Sequence, residues 1–164
     1  MILDVQLILK TEGARIPVAG KLQAMDDFAN SDMQFSEISF SGELENIGGV
    51  LAFSAEVEGS FTVPCARCMK VTEQHFKTSV NETLAKEDAD IQNRDEVIPF
   101  TGTEIDMKEV LRPGVMLALS SKYLCKPDCK GLCMRCGADL NEATCNCKDD
   151  DIDPRLAGLA DLLQ

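Results

Sequence analysis

The residues in this 164-residue chain best suited to chemistry are eight cysteines, which fall into four close pairs: Cys65/Cys68, Cys125/Cys129, Cys133/Cys136 and Cys145/Cys147. A close pair lets one turn present two thiolates to a single tetrahedral ion at about 2.3 Å. Cys133-Met-Arg-Cys136-Gly137 is the most favourable of the four. Its glycine lets the backbone turn tightly and aim N–H groups at the sulfurs. Cys65-Ala-Arg-Cys68-Met69 lacks that glycine, and Cys125/Cys129 is more widely spaced. Eight thiolates make two four-ligand sites, and four pairs can be grouped in three ways. Loop closure favours joining neighbours. The spacing therefore predicts one site from Cys133, Cys136, Cys145 and Cys147 in a compact ribbon-like loop. A second site, from Cys65, Cys68, Cys125 and Cys129, would clip that ribbon onto the rest of the chain. The expected cofactor is structural zinc, two ions, since four thiolates leave no open coordination position for catalysis.

Rival chemistries draw on the same residues. A redox dithiol at Cys65/Cys68 would sit between antiparallel strands, not at the βα turn where thioredoxin-like enzymes carry theirs. Cys129, Cys133 and Cys136 reproduce the three-cysteine spacing of radical S-adenosylmethionine enzymes. Those enzymes place the motif early in a large α/β barrel, and only 28 residues follow Cys136 here. A disulfide framework would be out of place in a reducing cytosol. The one histidine, His75, falls on the polar parity of its strand, and no GxSxG, P-loop or dinucleotide fingerprint is present. Asp149-Asp150-Asp151 has the composition of a solvated linker, with a cation site as its rival. The expectation is a protein that is not an enzyme.

Composition sets further bounds. Hydrophobic residues make up 45% and aromatic residues 5%, with no Trp, so a core must be built from Val, Ile, Leu, Met and Phe. No apolar run approaches the ~20 residues needed to span a bilayer. The N-terminal Met1-Ile-Leu-Asp-Val-Gln-Leu lacks a basic region and a small-residue cleavage site. Both point to a cytoplasmic protein with no membrane partner. The net charge is −12, with 11 basic and 20 acidic groups in residues 1–124 and 5 and 8 in residues 125–164. Affinity gained by releasing counterions from phosphates needs clustered Lys and Arg. Direct nucleic-acid binding is therefore disfavoured, and a basic protein partner is electrostatically suited. Arg67 and Lys70, beside the first pair, have the chemistry to touch a phosphate, but they read first as ordinary solubility charges.

The elements that must position the cysteines follow from periodicity. Val5, Leu7 and Leu9 share a parity and suggest a first strand over residues 1–10; Asn30 to Ser36 reads as a polar connector. From Ile38 a period of two is clear: Ile38, Phe40 and Leu44 on one face, Ser39, Ser41, Glu43 and Glu45 on the other. Asn46-Ile47-Gly48-Gly49 supplies a turn. Leu51, Phe53, Ala55, Val57, Phe61 and Val63 resume the alternation, with Gly59 a place for a bend or bulge. Phe76, Val80 and Leu84 carry it past Cys68. A polar, acidic loop at 86–96 precedes a short strand from Val97 to Phe100. Asp106 can cap a helix near 107–120 with Val110, Leu111, Leu117 and Ala118 as its apolar stripe, and Pro113-Gly114 should kink or split it. Asp153-Pro154 opens a short terminal helix bearing Leu156, Leu159, Leu162 and Leu163. The reading is an α+β protein. Residues 1–124 form an antiparallel β-sheet meander with one principal helix; residues 125–164 form a Cys-rich module too poor in apolar groups to hold without a zinc staple.

The string Cys125-x3-Cys129-Lys-Gly-Leu-Cys133-x2-Cys136-Gly-x-x-Leu-Asn141, then Cys145-x-Cys147 and Asp153-Pro154-Arg155-Leu156, resembles the YceD-type family of large ribosomal RNA subunit accumulation proteins. Cys65-x-Arg67-Cys68 between strands and Ile105-Asp106 opening a helix match it too. The resemblance covers roughly residues 40–164 and departs at Met134, where proline is expected, and at Pro113-Gly114 within the helix. It implies a non-enzymatic role in ribosome biogenesis, in accumulation or processing of large-subunit ribosomal RNA. The family is often encoded beside a large-subunit ribosomal protein, which implies a partner that is a basic ribosomal protein or a ribosomal precursor particle. A thiol-dependent redox protein or sensor, and a zinc-ribbon adaptor for transcription, are the competing functions.

Overall fold

Period-two alternation in the sequence becomes three long neighbouring strands. The computed structural model describes residues 1–22, 32–87, 89 and 96–147. The order is β1 (Ile2–Asp4), α1 (Gln6–Leu9), β2 (Arg15–Leu22), β3 (Gln34–Ile47), β4 (Val50–Pro64), β5 (Val71–Lys86), β6 (Ile98–Phe100), β7 (Glu104–Asp106) and α2 (Met107–Ala118). A five-stranded sheet has the order β2-β3-β4-β5-β6, and β1 pairs with β7 in a separate two-stranded ribbon. Strands β2 to β5 are antiparallel to their neighbours, but β6 joins β5 in parallel, Leu84 opposite Ile98 and Lys86 opposite Phe100. The sheet is mixed, which corrects the expectation of a wholly antiparallel meander. The connection from Lys86 to Ile98 is long enough for the chain to return alongside β5, as a parallel pair requires.

One face of the sheet is apolar. Ile38, Phe40 and Leu44 of β3 meet Leu51, Phe53, Ala55 and Val57 of β4 and Val80 and Leu84 of β5, all buried. The Gly48-Gly49 turn joins β3 to β4 with φ of 63° and 91°, which glycine adopts without steric cost. The irregularity expected at Gly59 lies opposite it. Phe35 pairs with Phe61 while Ile38 pairs with Gly59, so the extra residue is in β3. Gly59 leaves room there, since a Cβ would stand 3.0 Å from the Phe76 ring and 3.1 Å from Ile38.

Helix α2 covers the apolar face. Asp106 caps it by accepting the Lys108 N–H at 3.0 Å. The helix continues through Pro113, so the chain is not split there. Gly114 is required for packing: a Cβ there would lie 2.6 Å from Val80 Cγ2, so its absence lets the helix lie against β5. The buried stripe is Met107, Val110, Leu111 and Val115. Leu117 and Ala118, expected in it, are exposed, because the last turn borders an open cavity through Met116 and Leu119 instead of the sheet.

The chain start also differs from expectation. A strand over residues 1–10 gives way to β1 and the single turn α1, because the Asp4 side chain accepts the Gln6 N–H at 2.8 Å and turns the backbone. Strand β2 was not foreseen, and β3 begins at Gln34, inside the expected connector. Asn30 and Ser31, most of the acidic loop, Asp149-Asp150-Asp151 and the terminal helix at Asp153-Pro154 lie outside the described residues. Among the described residues, no helix is long and apolar enough to cross a membrane.

Asn46 is the buried polar side chain that holds α1 to the sheet. Its Nδ2 donates to the carbonyls of Ile8 (2.8 Å) and Thr11 (3.1 Å), and its Oδ1 accepts the Gly49 N–H at 2.8 Å. Removing the amide takes a hydrogen-bond partner from the Ile8 and Thr11 carbonyls and from the Gly49 N–H. Asn46→Ala should lower stability by about 2–3 kcal/mol, read as a lower urea midpoint at unchanged slope.

Candidate metal centres

The β4–β5 hairpin ends in a tight turn from Cys65 to Lys70. Cys65 N donates to Lys70 O at 2.9 Å and Met69 N to Cys65 O at 3.0 Å. Met69 follows the second cysteine at φ 61°, the only left-handed non-glycine residue among those described. It adopts the conformation that Gly137 (φ 73°) adopts after Cys136, where Gly137 N donates to Cys133 O at 2.9 Å. The two Cys-x-x-Cys turns thus share a geometry despite differing in sequence.

Residues after α2 are steered back to this hairpin tip. Tyr123 packs edge-on against Phe61, ring centroids 5.2 Å apart, and its carbonyl accepts the Ala66 N–H at 2.8 Å. Leu132 N donates to Arg67 O at 3.1 Å, and the Arg67 guanidinium donates to Cys129 O. Gly131, at φ 80°, is held where a Cβ would meet Arg67 O at 2.9 Å.

The result is two quartets. The sulfurs of Cys65, Cys68, Cys125 and Cys129 lie within 4.8 Å of one another, and so do those of Cys133, Cys136, Cys145 and Cys147. These are the groupings that loop closure favours. In the first quartet Cys65 and Cys129 are 3.8 Å apart and Cys68 and Cys125 are 3.6 Å apart. A sulfur tetrahedron around an ion at 2.3 Å has an edge of about 3.8 Å, whereas a disulfide needs about 2.0 Å. The donor set and its spacing fit a thiophilic metal ion, and every cysteine is a free thiol. The first quartet is inner, with Cys65 and Cys129 fully buried; the second is outer, with Cys136 exposed.

Without a cation the four thiols of a quartet compete for charge. Burial pushes the Cys65 thiol up, but the backbone N–H of Arg67 and its neighbours outweigh it and bring the pKa down to about 6. Burial, with the thiols of Cys129, Cys68 and Cys65, pushes Cys125 up to about 12. In the outer quartet the backbone N–H groups of Cys136 and Arg135 lower Cys133 to about 6, while bonding to Cys136 and Cys133 pushes Cys147 up to about 12. One thiolate forms readily and the last only against like charge. A bound dication removes that conflict. Around the quartets Arg67, Lys70, Lys122, Lys126, Lys130 and Arg135 outnumber Asp128, Asp139 and Glu142, reversing the chain's overall acidity. Hydrogen bonds from the Asn141 backbone N–H and side-chain amide, with Lys126 and Lys70 nearby, hold the Asp139 carboxyl below its usual range. The spacing of cysteines gave no sign of Asn141, whose side chain reaches Cys129.

Comparison with known proteins adds context. The family described as "Large ribosomal RNA subunit accumulation protein YceD" matches residues 53–163. An uncharacterised Mycobacterium tuberculosis protein is 31% identical over 114 residues, covering 65% of this chain and 55% of its own length. The chain thus spans about half the length of that mycobacterial relative. The chloroplastic large ribosomal RNA subunit accumulation protein YCED homolog 1 of Zea mays is 38% identical over 55 residues, 33% of this chain and 19% of that protein. The uncharacterised YlbN of Bacillus subtilis is 24% identical over 137 residues, 82% and 80% of the two chains. No solved structure gives a significant match.

The left-handed Met69 offers a direct check on the hairpin turn. Its side chain is 61% exposed, so little packing is lost on truncation. Met69→Gly should raise stability by about 1 kcal/mol through relief of backbone strain, measured by urea denaturation. An unchanged or lower midpoint would show that the turn is unstrained.

Proposed function

The chain belongs to the YceD family, and from that membership we propose that it is a non-enzymatic factor supporting accumulation of large-subunit ribosomal RNA, acting through a basic protein partner. The match over residues 53–163 carries this reading, because it takes in the β4–β5 hairpin, α2 and both thiol quartets as one unit. The maize relative is named for accumulation of the large ribosomal RNA subunit. A net charge of −12 suits a basic ribosomal protein or precursor particle better than bare RNA. The proposed compartment is the cytoplasm, where thiols stay reduced; the maize relative is chloroplastic by name.

In this reading the quartets hold two structural zinc ions, Cys65, Cys68, Cys125 and Cys129 on one and Cys133, Cys136, Cys145 and Cys147 on the other. Four thiolates per ion close the coordination sphere, so the metal fixes shape and does no chemistry. The inner ion would join the hairpin tip to the segment after α2, and the outer ion would close the loop that follows.

Two measurements test this. Protein purified without chelator should contain two equivalents of zinc, falling to one in the Cys65→Ser, Cys68→Ser variant; metal-free protein with an ordered tail would end the zinc reading. Separately, affinity purification after nuclease treatment should retain a basic large-subunit ribosomal protein. Recovery of RNA with no protein would overturn the proposed partner.

A further inference from the structure

Asn141 lies between Cys136 and Cys145, inside the loop whose ends the outer quartet holds. Its side chain nevertheless serves the inner quartet, because Nδ2 donates to Cys129 Sγ at 3.5 Å. The amide has no freedom to turn away. Its Oδ1 accepts the Lys130 N–H at 2.9 Å, which leaves Nδ2 as the group facing the sulfur. Nδ2 also donates to Asp139 Oδ1 at 2.6 Å, and the Asn141 N–H donates to the same oxygen at 2.9 Å. Leu140 N donates to Gly131 O at 2.9 Å, so the backbone between Cys129 and Cys133 is bonded to the outer loop at both Lys130 and Gly131.

An N–H donated to a thiolate ligand stabilises its charge and fixes the sulfur's direction, and partners of this kind are commonly worth 10–100-fold in metal affinity. Here the donor is kept in place by a loop that the other quartet must close. We infer that Asn141 is a positioning residue for the inner centre and ties the two centres into one unit: metal in the outer quartet strengthens metal binding in the inner one. By linkage the inner metal strengthens the outer by the same factor. The inference rests on reading the quartets as metal centres.

The test uses the full chain loaded with cadmium, followed by cadmium-113 NMR and by release of metal to a chromophoric chelator. Cys145→Ser, Cys147→Ser removes the outer resonance and so identifies the inner one. Asn141→Asp keeps an oxygen for the Lys130 N–H and loses the donor to sulfur; Asn141→Ala loses both. The expected result is that both Asn141 variants shift the inner resonance, leave the outer one in place, and speed inner-site release at least about 10-fold. The double serine variant should speed inner release by a similar factor. An inner resonance and inner release rate that match the parent in all three variants would overturn the coupling while leaving two metal centres standing. Protein that takes up no cadmium would instead overturn the metal reading on which the coupling rests.

Discussion

Four sulfur atoms crowded within 4.8 Å cannot all carry charge unless a cation sits among them, and the C-terminal half of this molecule is arranged around that constraint twice. The inner quartet draws its thiols from positions some sixty residues apart. Cys65 and Cys68 are delivered by the β4–β5 hairpin tip, and Cys125 and Cys129 by the segment that leaves α2 past Tyr123. Strands β4 and β5 are therefore a lever as well as core: their regular register from Leu51↔Leu84 to Pro64↔Val71 fixes where the hairpin presents its two sulfurs. Local structure, packing and ligand geometry meet at one point, and the left-handed Met69 is the visible strain there.

Much of this was legible in the sequence because it depends on short-range periodicity and on loop length. Alternation marks the buried faces of β3, β4 and β5, Asp106 marks the start of α2, and cysteine spacing marks the two quartets. What was hidden depends on partners distant in sequence. Strand β2 contains Pro17 and Gly20, which read as breakers, yet β2 is an edge strand where a missing N–H is tolerated. The parallel β6 cannot be told from an antiparallel strand by its three residues. Pro113 falls within α2, and the neighbouring Gly114 lies close against Val80 of β5. Asn46 and Asn141 look like ordinary turn residues. Their importance comes from what they meet, backbone carbonyls of the first turn in one case and a sulfur in the other.

Charge is distributed to match. A sulfur quartet around a divalent ion carries two negative charges, and Arg67, Lys70, Lys126 and Lys130 sit in the segments that would surround it. With an ion bound, these cations would offset the charge of the quartet locally. On the solvent-facing parity of the sheet, Glu43, Glu45, Glu56 and Glu58 stand among serines, and Arg15 and Lys77 pair with Glu43, Glu45 and Glu56.

The two parts of the molecule differ in what holds them. Among the described residues, the sheet, α1 and α2 share a cluster of nineteen buried apolar residues, whose burial drives their folding. The second cluster consists of Cys65, Cys68 and Cys129 with Leu124, Cys125 and Leu132 beside it, so most of its members are themselves proposed ligands. A segment whose core is made of thiols gains its order from whatever those thiols bind. Metal in that position would fix how the segment is held against the β4–β5 hairpin tip, which supplies Cys65 and Cys68.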